Sequence, residues 1–179
     1  MTVVRPCPAA EAKARVPELG ALLTDAVAHG ASVNFMAGLG PVEAEAFWHG
    51  QLPGLHAGER LLLVAETGER IVGTAMLTMA PQPNGPHRAD IGKMLVHSSR
   101  RRQGLGRRLL QATEDAARDA GRTLLLLDTE AGSAGEALYV ACGWTQYGSV
   151  PGHSYTPDGR LATAACYVKV LGPHRAPAA

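Results

Sequence analysis

Apolar side chains recur along this chain with two different periods, and the change from one to the other marks its elements. Leu105, Leu109, Ala112, Thr113, Ala116, Ala117 and Ala120 return every three or four residues, while Arg107, Arg108, Gln111, Glu114, Asp115, Arg118 and Asp119 take the remaining positions. That spacing predicts an amphipathic helix, closed by Gly121. Thr123 to Asp128 is an unbroken apolar run, the pattern of a short strand buried on both faces. Arg60 to Glu66 and Ile71 to Met79 are β-rich and flank the turn Thr67-Gly68-Glu69-Arg70, which predicts a hairpin. Arg88 to His97 predicts a third strand of this group. Upstream, Thr2 to Arg5 reads as a strand ended by Pro6 and Pro8, and Ala9 to His29 as a helix broken at Pro17. Pro41 opens a helix that carries Phe47 and Trp48 and stops near Pro53-Gly54. Downstream come a short helix from Gly135 to Ala141, stopped by Gly143, and an antiparallel pair, Trp144 to Val150 and Ala164 to Val170. A long loop with Pro151, Gly152, His153, Pro157 and Gly159 joins that pair.

The strand Arg88–His97, the amphipathic helix and the strand Thr123–Asp128 form a βαβ unit, whose strands should be parallel with a right-handed crossover. Hairpins flank it on both sides. The expected fold class is therefore α/β (α+β), a mixed central sheet with helices on both faces. One domain is expected over residues 1–171, with 172–179, rich in Pro and Ala, as a disordered tail.

Composition narrows the functions. The 179 residues carry a net charge of +1, which speaks against a nucleic-acid binder working by phosphate neutralisation. The three cysteines, Cys7, Cys142 and Cys166, are widely spaced and odd in number, so neither a disulfide framework nor a metal site is expected. Cys142 and Cys166 are expected to be largely buried. No signal-like or membrane-length apolar run occurs, and the expected location is the cytoplasm.

The turn into the amphipathic helix is the most informative stretch. Arg101-Arg102-Gln103-Gly104-Leu105-Gly106-Arg107 places two glycines among basic side chains at a helix start. There the first amides lack partners, the dipole favours anions, and missing Cβ atoms let a phosphate approach. Such a strand, glycine turn and helix make a pyrophosphate cradle. A P-loop would need Lys-Ser/Thr after Gly106, where Arg107-Arg108 stands; a dinucleotide fingerprint would need glycine where Leu109 stands.

Met94-Leu95-Val96-His97 followed by Arg101, Gly104 and Gly106, and later Ala137-Leu138-Tyr139 with Cys142-Gly143-Trp144, resembles the GCN5-related N-acetyltransferases. Ser98 departs from the proline common in that family, with little consequence expected. Around His87–Asp90, Leu127–Ser133 and Thr156–Leu161 the sequence is similar to tabtoxin-resistance acetyltransferases. The resemblance implies acetyl-CoA as cosubstrate, held by Met94, Leu95, Val96, the segment Arg101 to Arg107 and Ser133. It implies a small-molecule amine as acceptor, such as a toxin or antibiotic, against Trp48, Asp90, Asp128 and His153. A backbone amide near Leu95 or Val96, at a strand bulge, would hold the oxyanion, and Tyr139 would serve the leaving thiolate.

The chemistry asks for a base. Freeing the lone pair of an alkylammonium with pKa near ~10.4 costs about 4–5 kcal/mol at pH 7. Asp90, on the strand leading to Val96, and Asp128, at the end of the next parallel strand, flank the crevice where ligands sit in open α/β sheets. A turn or surface role is the alternative for each; Glu130 and His153 are weaker candidates. Lys93 reads as a strand-end surface residue. A non-catalytic acyl-CoA sensor and a protein N-acetyltransferase are the competing functions. The final hairpin offers an edge for homodimer pairing.

Overall fold

The computed structural model describes residues 1–172. Its elements are β1 (Thr2–Cys7), α1 (Ala9–Ala14), α2 (Val16–Ala28), α3 (Pro41–His56), β2 (Arg60–Thr67), β3 (Arg70–Met79), β4 (Arg88–Val96), α4 (Leu105–Asp119), β5 (Leu124–Glu130), α5 (Ala134–Ala141), β6 (Thr145–Tyr155) and β7 (Leu161–Val170). The seven strands form one sheet in the order β1-β2-β3-β4-β5-β7-β6. Only β4 and β5 run parallel, as the crossover through α4 requires. The expected tail lies outside the described residues, apart from Gly172.

Alternation along the strands divides the core between two layers. Leu62, Val64, Ile71 and Leu95 turn to α1, α2 and α3. Leu63, Ala65, Val72 and Ala75 turn the other way, to Leu105 and Leu109 of α4. Leu110 and Ala117 of α4 continue this second layer onto Ala89, Ile91, Leu125, Leu127 and Tyr139. Helices α2 and α3 pack on β2, β3 and β4.

Several boundaries differ from the periodicity, each for a local reason. The helix expected from Ala9 to His29 breaks at Arg15 (φ −110°, ψ 15°), two residues before Pro17, because proline restarts α2 at its first turn. Helix α3 runs past Pro53 to His56. The loop expected from Pro151 to Gly159 is mostly strand, and the turn shrinks to Thr156–Arg160. An irregularity between Val150 and Ser154 absorbs Pro151 and Gly152, which is possible because β6 is an edge. Cys142 and Cys166 are half-buried; Cys7 is the buried thiol, raised to about 11 by desolvation. No helix among the described residues is long and apolar enough to cross a membrane.

One buried ion pair ties α4 to the end of the chain. Glu114 is 2% exposed. Lys169 Nζ donates to both its oxygens at 2.8 Å and to the Cys142 carbonyl at 2.8 Å, and Trp144 Nε1 donates to Glu114 at 3.0 Å. The turn after α5 is thereby fixed to α4 and β7. Glu114→Ala would take the carboxylate from a half-buried ammonium and a buried indole N–H, so a loss of about 2–3 kcal/mol is expected in urea unfolding. A loss under about 1 kcal/mol would show that the pair is not a structural tie.

Candidate active site

The β4–β5 ladder ends early. Arg88, Ala89 and Asp90 pair with Leu124, Leu125 and Leu126, and no further residue of β4 pairs with β5. Beyond Asp90 the two strands part. β4 also carries an irregularity against β3, opposite Thr74–Met76. Lys93 sits there at φ 47°, and Thr74 Oγ1 donates to its carbonyl at 2.9 Å from a fully buried position. The bulge expected near Leu95 thus falls two residues earlier. A cavity of about 560 Å³ fills the gap, within the range of small-ligand sites.

The start of α4 opens into this cavity. The first bond of its ladder is Arg108 N–H to Gly104 carbonyl at 3.2 Å. The amides of Leu105, Gly106 and Arg107 precede it and are left for an outside acceptor. Gly104 takes φ 76° and Arg102 φ 62°, a turn for which glycine is suited. A Cβ on Gly106 would lie 3.0 Å from Leu138 Cδ2. Arg100, Arg102 and Arg107 line the same end. An anion with several oxygens fits these donors.

Arg101 is used differently from the expectation. Its Nε donates to Val96 O at 3.2 Å and its Nη1 to His29 O at 3.2 Å, so it joins the end of β4 to the end of α2 while bordering the cavity. Ser98 corrects a second expectation. Its amide and hydroxyl both donate to Asp25 at 2.7 Å, and this anchors the loop where proline would have had no N–H to give. Those bonds hold the Asp25 carboxyl below the usual range against the desolvation that opposes them.

At the other end stand Asp128, Tyr139 and Lys93. Tyr139 is 7% exposed and lies near the rings of Trp144 and Tyr167, at centroid distances of 6.0 and 6.5 Å. Burial, and then the charge of Asp128, push its hydroxyl up to about 12. Asp90 shares a sheet face with Asp128 by register but does not line the cavity. Its side chain reaches solvent, yet partial desolvation raises its pKa; Arg88 opposes this and Asp128 adds to it. Met94, Leu95, Val96 and Ser133 line the cavity, and Ser133 also caps α5 by accepting from Glu136 N.

Besides Asp90, three expected site residues fall outside the cavity lining. Trp48 is 1% exposed in the core between the helices and the sheet, so it cannot form a substrate wall. Its neighbour Phe47 packs at the edge of the same core, with Lys93 Nζ 5.0 Å from its ring. His153 is exposed on β6 and is not among the cavity residues; the strand carries it away from the site the loop would have covered. Gln103 turns to the Ser99 carbonyl at 3.3 Å and stays outside the lining. Periodicity also missed the cavity wall from His29 to Val33, a segment with no regular pattern. Among the described residues no group of three or more His, Cys, Asp or Glu is placed to hold a metal.

The pattern of the Acetyltransferase (GNAT) family matches residues 27–144. The chain is 33% identical over 87 residues to N-acetyltransferase 8B of Rattus norvegicus, a match covering 48% of this chain and 39% of that protein. Its fold is similar to that of yncA from Salmonella typhimurium, solved with its cofactor acetyl-CoA (TM-score 0.77, 21% identity, 100% of this chain and 99% of that one). It is also similar to ribosomal-protein-alanine N-acetyltransferase from Brucella melitensis (TM-score 0.76, 26% identity, 94% and 99%). The matched span runs from the end of α2 through the open amides of α4 to Tyr139 and Trp144, and the chain belongs to the acetyltransferase (GNAT) family.

Proposed function

We propose that the protein transfers the acetyl group of acetyl-CoA to a primary amine of a small molecule, by direct attack in a ternary complex. The observation that carries this reading is the single cavity that runs from the free amides of α4 to Asp128 and Tyr139. Acetyl-CoA supplies an activated thioester and a thiol leaving group. The amides of Leu105, Gly106 and Arg107 hold its pyrophosphate, with Arg100, Arg102 and Arg107 beside them. The unpaired edge of β4 at Met94, Leu95 and Val96 faces the thioester, where an N–H can stabilise the developing oxyanion. Asp128 accepts the proton of the attacking amine, and Asp90 adds negative charge on the same face. Tyr139 donates a hydrogen bond to the departing thiolate. With its hydroxyl near 12, it works as a neutral donor at physiological pH rather than by full proton transfer.

A small acceptor is favoured by contacts that narrow the approach beside this end. Ala37 N–H donates to Pro157 O at 2.9 Å, which joins the segment after α2 to the β6–β7 turn. Arg160 of that turn pairs with Glu130, which lines the cavity. A protein N-terminus would need an open groove here. We read the acceptor as a toxin- or antibiotic-like amine, the protein as cytoplasmic, and the exposed β6 edge, with Tyr147 and Val150, as its surface for a homodimer. A panel of small amines and Ala-terminated peptides, assayed for CoA thiol release from acetyl-CoA, tests the reading. Turnover of peptides alone would favour a protein acetyltransferase; binding without any release would favour a sensor.

Tyr139→Phe keeps the packing and removes the hydroxyl. Turnover should fall about 10-fold or more with acetyl-CoA affinity nearly unchanged. A full-rate variant would take Tyr139 out of the chemistry.

A further inference from the structure

The sequence has three lysines, and the fold gives each a different setting. Lys13 is exposed in the last turn of α1. Lys169 is locked to Glu114 and the Cys142 carbonyl. Lys93 alone lines the cavity. Its backbone is held in the left-handed region at the β4 bulge by the Thr74 hydroxyl, and its ammonium lies over Phe47 rather than in a salt bridge. Asp128 lines the same cavity, and its negative charge acts on the Lys93 amine. An amine, a carboxylate and the expected thioester position thus border one open cavity, which is the arrangement the acceptor reaction itself requires.

We propose that Lys93 is an internal acetyl acceptor: with acetyl-CoA bound and no acceptor amine present, its Nζ takes the acetyl group and becomes acetyl-lysine. This inference rests on the acetyl-CoA reading above. The neutral amine forms a bond from Nζ to the thioester carbonyl carbon, and the carbon–sulfur bond breaks. Nζ gives up one proton to Asp128, and the thiolate leaves hydrogen-bonded to the Tyr139 hydroxyl and takes its proton from solvent. No oxidant or reductant is needed. Desolvation lowers the pKa of Lys93, so more of its amine is neutral than for a lysine in water. The product replaces a cation at the acceptor end by a bulkier neutral amide, which would restrain the enzyme when its amine substrate is scarce.

The full chain is incubated with acetyl-CoA and no amine, then followed by intact and peptide mass spectrometry. Lys93 should gain one acetyl group at least about tenfold faster than Lys13, and Lys93→Arg should show no such gain. Gly106→Val, at an acetyl-CoA concentration well below its weakened affinity, should lose the modification at Lys93 and keep only the slow background at Lys13. Lys93 left unmodified while calorimetry shows acetyl-CoA bound would overturn the inference and leave the cofactor reading standing. So would labelling of Lys93 at the rate of Lys13, or at an unchanged rate in Gly106→Val. Absence of calorimetric binding would overturn both.

Discussion

Gly106→Val is expected to weaken acetyl-CoA binding by about 100-fold or more, measured by calorimetry. Even a single Cβ at this position meets Leu138 Cδ2 at 3.0 Å. A leucine end can give by a few tenths of an ångström, so Ala is expected to be mild. Valine adds two branches that cannot all avoid both Leu138 and the space in front of the Leu105–Arg107 amides. Displacing a pyrophosphate from two such donors forfeits charge-assisted bonds of roughly 1.5–3 kcal/mol each, which sets the fold-change. Circular dichroism confirms that the variant is folded. Unchanged affinity in a folded variant would mean that the anion is held elsewhere.

Asp128→Asn should lower kcat by about 10²- to 10⁴-fold while leaving acetyl-CoA affinity within about twofold. Asparagine keeps the size of the side chain and cannot accept the proton. Asp128 stands in the cavity, whereas Asp90 lies on the same face outside it. Asp90 also carries a raised pKa from partial desolvation, countered by Arg88 and reinforced by Asp128. Asp90→Asn is therefore expected to cost less than Asp128→Asn. The reverse order in steady-state kinetics would make Asp90 the proton acceptor and Asp128 its electrostatic neighbour.

Much of this site was legible along the chain because it is built from contiguous segments. The α4 entrance is one short run, Arg101 to Arg107, and its need for amides and glycines leaves a mark in sequence. Tyr139 and Asp128 were legible as element positions. Trp48 and Phe47 show the limit. They are adjacent and both aromatic, and only packing turns one into the core and the other toward Lys93. His153 shows another: Pro151 and Gly152 read as loop formers, yet an edge strand tolerates both through an irregular register.

The sequence by itself determined most of the elements, the parallel crossover and the glycine-bearing basic turn at the start of α4, because helix period, strand burial and turn residues are local properties read from neighbouring residues. The tertiary structure alone decided where the sheet opens. The parting of β4 and β5 after Asp90 puts Asp128 in the cavity and leaves Asp90 beside it, and the bulge at Lys93 makes an ordinary strand lysine a lining residue of the cavity. The bonds of Arg101 to Val96 and His29, and of Ser98 to Asp25, join residues up to 73 positions apart. Such pairings depend on how layers stack, and no periodicity along one strand or helix encodes them.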